Sequence, residues 1–230
     1  ISLGLVGSEM CIRDSYIPGR VVHDNLRMFE FFNSYCTEND IDAVLISLDA
    51  AKAFDSVDHN YMFETLKRYG FSIEFIDTVR MLYNDIRADI LVNGYRTAMI
   101  KIRRCVKQGD ALSCALFIIC LDPVLRNIEN NKKIKAIKLK TPISNVNIES
   151  KTGAYADDVG AAILNKEESI NGIFSEYGRF SSYSGIRLNE TKSEILSLKT
   201  KANFIPTKVK ISSEQNAFEL TTVEKIKICG

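Results

Sequence analysis

"GAYADDVGAA", residues 153–162, sets Asp157 and Asp158 side by side in a run otherwise made of small and apolar residues. Burying an unpaired carboxylate is expensive, and two adjacent ones repel until one takes up a proton. Two readings are open. In the first, the pair sits in a solvated turn helped by nearby Gly160, since Asp is common in turns. In the second, something strongly positive lies against the pair, and the run is a buried strand that begins on acid.

"LISLDAAKAFDSVDH", residues 45–59, repeats the theme. Residues 43–48 are apolar and partly β-branched, the pattern of a buried strand, and Asp49 ends it. If the two strands are neighbours, three carboxylates converge in a partly dry place. Divalent cations make such a cluster tenable, and ligands that are all oxygen favour Mg²⁺ or Mn²⁺. Two such ions roughly 4 Å apart are the machinery of in-line phosphoryl or nucleotidyl transfer. Neighbouring side chains on a strand point to opposite faces, so a turn at 157–158 is what lets both aspartates approach the same ions.

Composition narrows the field. The 230 residues are 46% hydrophobic and 26% charged, which suits one large globular domain or two small ones. No apolar run approaches the roughly 20 residues of a membrane helix, so a soluble, intracellular protein is expected, with cytoplasm and nucleus both open. Six cysteines form no CxxC pair, and with two histidines a zinc site is not expected; the thiols read as reduced core residues. Net charge is +1, yet Arg96 to Lys140 holds eleven basic residues against Asp110, Asp122 and Glu129, a local +8. Such a stripe fits a phosphate backbone, and a solvated helix face with a basic loop fits it equally well.

Local signals predict the elements around these acids. Leu26, Phe29, Phe32 and Cys36 recur at three and four residues, a helical stripe. Asp58 is a candidate N-cap and Gly70 a candidate C-cap for the next helix, and Ser72 caps another that runs to about Asn84. Asn93-Gly94 between two β-prone runs predicts a tight hairpin. Residues 111–129 read as a long apolar helix with a kink at Pro123. Residues 146–164 read as a second hairpin turning near Asp157 and Asp158. A helix over 167–183 and short strands complete an α+β layout, an antiparallel sheet with helices packed on one face.

At this point the residues resemble a family. "LISLDAAKAFDSVDH" is similar to the first catalytic motif of reverse transcriptases, those of non-LTR retrotransposons in particular. "VKQGDALSCALF" resembles their Gln-Gly motif, "AYADDV" their Tyr-x-Asp-Asp box, and "SGIRLNETKSEIL" the segment that follows. "YIPGRVVHDN" resembles the Gly-Arg segment of the fingers. Tyr-x-Asp-Asp alone is a weak signal; five motifs in the family's order are a strong one.

The resemblance implies a polymerase palm with partial fingers and no thumb over residues 16–230, and a set of roles. Asp49, Asp157 and Asp158 would be the metal carboxylates for two Mg²⁺ or Mn²⁺ ions, Asp158 the least essential as a direct ligand. Phe54 would pack on the incoming sugar. Gln108 and Gly109 would line the pocket at the nascent base pair, and Arg20 would contact phosphate. Lys192 would face the triphosphate and protonate the leaving pyrophosphate. Asp55, Asp58 and His59 are expected to cap the next helix and carry no chemistry. Ala111 and Cys114 depart from the family's prolines, which bears on loop stiffness. The implied partners are an RNA template, a DNA primer and dNTPs, with no membrane. Rival readings are a palm that binds nucleic acid without catalysis and an RNA-templated RNA polymerase.

Residues 1–15, "ISLGLVGSEMCIRDS", lack the basic-then-apolar order of a signal peptide. Leu5 to Ser15 resembles one reading frame of a transposase adapter used to build sequencing libraries. The expectation is a translated artefact ahead of the domain, and finding these codons in the genomic locus by long reads would remove it.

Overall fold

The computed structural model describes residues 22–107, 110–140, 147–155, 158–198, 208–210 and 217–223. The chain opens with helix α1 (Val22–Glu38), strand β1 (Ala43–Leu48), strand β2 (Ala50–Ala51) and three helices, α2 (Ala53–Ser56), α3 (His59–Arg68) and α4 (Ile73–Tyr83). Four two-residue strands follow, β3 (Arg87–Ala88), β4 (Leu91–Val92), β5 (Tyr95–Arg96) and β6 (Ile100–Lys101), then the long helix α5 (Ala111–Asn130). Next come β7 (Ile137–Lys140), β8 (Asn147–Ser150), β9 (Thr152–Tyr155) and β10 (Asp158–Leu164). Helix α6 (Glu167–Ser184) leads to β11 (Arg187–Leu188), β12 (Glu194–Ser197), β13 (Lys208–Lys210), β14 (Ala217–Glu219) and β15 (Thr221–Thr222). The mix of helices and largely antiparallel sheet is the α+β class expected.

The central sheet runs β15-β12-β1-β10-β9, so the two acid-bearing strands are hydrogen-bonded neighbours. β1 and β10 pair antiparallel from Ala43↔Leu164 to Leu48↔Val159. Alternation then decides what each face buries. Val44, Ile46 and Leu48 share one core with Val159, Ala161, Ile163 and residues of α5 and α6 such as Phe117 and Phe174. Each large side chain buried there contributes about 1.5–3 kcal/mol. Ala43, Leu45 and Ala162 face a second core with Phe29, Phe32 and Cys36 of α1. The helices therefore cover both faces, not one, because α1 crosses to the side that α5 and α6 leave open. One further departure is parallel: β12 pairs with β15 in that sense.

Gly160 is the contact point for α1. A Cβ built there would lie 2.5 Å from the Phe29 ring, so only glycine lets the helix approach this closely. It stands within β10, not in a solvated turn.

Caps appear where the sequence placed them. The Asp58 side chain accepts from the N–H groups of Asn60 and Tyr61, and Ser72 Oγ accepts from Phe75 N at 3.3 Å. A cap that the sequence did not signal is Asp110, whose carboxylate accepts from Leu112 N, and α5 continues unbroken across Pro123. Asn93 and Gly94 take φ of +49° and +84°, the two positive values a type I′ turn requires. No helix among the described residues is long and apolar enough to cross a membrane.

Candidate active site

β1 delivers Asp49 to the edge of the sheet. Its register with β10 ends at Leu48↔Val159, so the next residues along the two strands, Asp49 and Asp158, fall level with each other. Like charges directly opposite on an antiparallel pair are destabilising. Both residues are half-buried, which removes part of the water that would otherwise screen them.

A turn at residues 189–193 grips Asp49 by its main chain. Asn189 N donates to the Asp49 carbonyl at 2.8 Å, and Asp49 N donates to Ser193 Oγ at 3.3 Å. The turn is closed on itself: the N–H groups of Lys192 and Ser193 and the Ser193 hydroxyl all donate to the Asn189 carbonyl. Just before it, β11 pairs with β2 through Arg187↔Ala51 and Leu188↔Ala50. With its amide and carbonyl engaged, Asp49 is held in position and its carboxylate remains for other partners.

Gly185 makes this juxtaposition sterically feasible. It ends α6 with φ +78°, and a Cβ there would sit 2.6 Å from the Ser56 carbonyl oxygen. Any other residue would meet both the left-handed penalty and that backbone atom.

The product is a cavity of about 530 Å³ lined by Asp49 to Asp55 together with Asn189 and Lys192. Its lining includes two acidic residues, Asp49 and Asp55, and two lysines, Lys52 and Lys192. Phe54 lines it while stacking on Phe117 of α5, ring centroids 4.5 Å apart and planes 14° apart. Phe117 is fully buried, so the half-exposed Phe54 ring rests on a fixed support. The segment after the β6 strand is tied to the same place, Val106 N donating to the Phe54 carbonyl at 2.7 Å and Cys105 N to Val57 O.

Of the expected site residues, Asp49, Phe54 and Lys192 meet in this cavity, and Asp158 stands level with Asp49 on the adjoining strand. Asp157, Gln108, Gly109 and Arg20 lie outside the described residues. Asp58 caps α3 as expected. Asp55 lines the cavity, and His59 Nε2 bonds the Cys105 carbonyl at 3.0 Å. Sequence reasoning missed Asn189, Ser193 and Lys52. Asn189 left a trace in the Asn of the "SGIRLN" segment; Ser193 left none, since its hydroxyl meets only main-chain groups, the Asp49 N–H and the Asn189 carbonyl.

Comparison with known proteins gives this geometry its family. The profile described as reverse transcriptase (RNA-dependent DNA polymerase) matches residues 13–226, and the chain belongs to that family. A transposon TX1 protein of Xenopus laevis is 32% identical over 143 residues, 62% of this chain and 10% of its own length. The Pol polyprotein of the R2DM retrotransposable element of Drosophila melanogaster is 27% identical over 177 residues, 77% of this chain and 16% of its own. The chain thus spans a small part of the relatives it matches. Among solved structures, telomerase from Candida albicans in complex with a fragment of telomeric RNA superposes with TM-score 0.57 at 9% identity, over 88% of this chain and 32% of that one. Apo telomerase from Candida tropicalis gives 0.54 at 12% identity, over 84% and 38%. At these identities the likeness is one of fold, a polymerase palm. The family as a whole uses divalent metal ions.

Proposed function

We propose that this chain is the catalytic palm of an RNA-directed DNA polymerase encoded by a non-LTR retrotransposon, transferring dNMP from a dNTP onto a primer 3′-hydroxyl opposite an RNA template. The observation that carries the reading is the one cavity in which Asp49, Phe54 and Lys192 meet at the end of β1. The donor set suits a hard cation: carboxylate oxygens, two of them on residues that fall level where the β1–β10 register ends. Asp49, Asp157 and Asp158 would hold two Mg²⁺ ions, or Mn²⁺ in their place. Bound there, the ions would make the 3′-hydroxyl acidic and neutralise charge on the transferring phosphate.

The chain's own groups do the rest. The primer oxygen, its proton lost to water, forms the bond to the α-phosphorus as the α–β bond breaks. Lys192 gives its proton to the departing pyrophosphate. The Phe54 ring, braced by Phe117, closes the space at the sugar C2′ edge. By the family resemblance, Gln108 and Gly109 would line the base-pair side and Arg20 would hold phosphate. The test is extension of a DNA primer on an RNA template by the protein that carries this chain, with Mg²⁺ and with chelator. Metal-dependent dNMP addition that Asp157→Asn abolishes, with template binding retained, is the expected result. Binding without extension would leave the nucleic-acid-binding reading, and equal use of rNTPs the RNA-polymerase one.

A further inference from the structure

We infer that Lys52 is a second triphosphate-binding cation of this site, a reading that rests on the polymerase assignment and deepens it. Lys52 adopts φ 50° and ψ 48°, left-handed backbone in which a side chain with a Cβ is strained and only glycine is not. The conformation has a use in the turn: the Lys52 carbonyl accepts from Asp55 N at 3.0 Å and from the Ser56 hydroxyl at 2.8 Å, closing α2. Glycine would serve that purpose without strain, so the turn does not account for a lysine. The cavity does. Lys52 is exposed and lines it with Lys192, so the 49–55 segment and the 189–193 turn each bring one lysine to its wall. A dNTP tail carries close to four negative charges; two divalent ions and Lys192 bring five positive ones, but the three ligand carboxylates of Asp49, Asp157 and Asp158 already offset three of them, which leaves two for the tail. Two cations placed on separate segments grip such a tail from two sides, as point charges suited to phosphate.

The experiment uses the protein carrying this chain, primed with a dideoxy-terminated DNA on an RNA template so that dCTP binds without reacting. Lys52→Met removes one charge-assisted hydrogen bond to phosphate and is expected to weaken dCTP binding by about 10- to 30-fold. In single-nucleotide addition the effect should fall on KM, with kcat within about threefold. Lys52→Arg should restore binding to within about threefold. Lys52→Gly separates backbone from side chain: it should melt no lower than wild type yet bind dCTP as weakly as Lys52→Met. Wild-type affinity in Lys52→Met, or restored affinity in Lys52→Gly, would overturn the assignment. Failure of the wild type itself to bind dCTP in this complex would sink the polymerase reading along with it.

Discussion

Two hairpins of this chain start from similar local signals and end in opposite environments. β4 and β5 turn on Asn93 and Gly94, and their flanks stay in solvent, Val92 at 54% and Tyr95 at 82% exposure. β9 and β10 flank the Asp pair, and Val159 beyond it is 2% exposed. The first hairpin exists because its turn residues adopt positive φ cheaply. The second exists because its strand is covered on both faces, by α5 and α6 on one and α1 on the other. Turn chemistry is enough to reverse a chain. Burial is what makes a carboxylate at a strand end, such as the half-buried Asp158, expensive.

The most severe break is at the acids. Asp49→Asn should reduce nucleotide addition by about 10³-fold or more, roughly 4 kcal/mol of barrier, because on the proposed reading it removes a ligand of ions that stabilise transition-state charge. Folding should survive, since the amide and carbonyl of Asp49 that bond the 189–193 turn are untouched. Melting without metal should be unchanged or slightly raised as the repulsion with Asp158 falls. Added Mg²⁺ should stabilise the wild type and do so less in the variant, since only the folded site binds it. A Mg²⁺ shift of equal size in both proteins would show that the ions bind elsewhere.

Next in size is Val159→Ser. Val159 pairs with Leu48 one residue from the acids and lies in the larger core. Loss of two methyls and burial of a hydroxyl should cost about 2–4 kcal/mol, a melting temperature lower by about 5–15 °C for a domain of this size. A drop under about 2 °C would mean that the hairpin is not packed as described.

Much of this was legible in residues. The Phe29, Phe32 and Cys36 stripe, the Asp58 and Ser72 caps and the Asn93-Gly94 turn are local: each depends on residues close to it along the chain. What escaped was long-range. A helical stripe says that α1 has an apolar face but not which side of the sheet it will cover. The parallel β12–β15 pair joins segments whose side chains carry no mark of direction. The grip on Asp49 by Asn189 is between main-chain atoms, and beyond its left-handed cap Gly185 is needed because the Ser56 carbonyl, distant in sequence, comes to face it. Motif resemblance located Asp49, Phe54 and Lys192; it could not indicate that Lys52 shares their cavity, because that follows from a left-handed residue.

Phe54 tests the pocket more gently. Its ring stacks on a buried partner, so it cannot swing aside to admit a 2′-hydroxyl, and exclusion by a rigid wall needs no favourable contact with the right substrate. Phe54→Ala should raise the use of CTP relative to dCTP by about tenfold to a hundredfold, roughly 1–3 kcal/mol of discrimination, with some efficiency lost. Single-nucleotide addition with each substrate measures it, and an unchanged ratio removes Phe54 from the gate.

The smallest effect belongs to the exposed hairpin and completes the comparison. Val92→Ser makes the same chemical change as Val159→Ser, also next to a turn, at a residue that leaves 54% of its surface in water. Little apolar area returns to solvent, no cavity forms, and the new hydroxyl stays hydrated, so the terms that make the buried change costly are absent. The residual loss is β-propensity on a two-residue strand whose turn is already held by Asn93 and Gly94, about 0.5 kcal/mol or less. Melting should move by no more than about 2 °C, and nucleotide addition should be unaffected, since Val92 is not among the residues lining the cavity. Thermal melts of the two serine variants side by side give a ratio of destabilisations expected to exceed about four. If Val92→Ser costs as much as Val159→Ser, the hairpin is covered in the folded protein, and its exposed row of Leu91, Val92 and Tyr95 is part of a buried contact instead of a solvated surface.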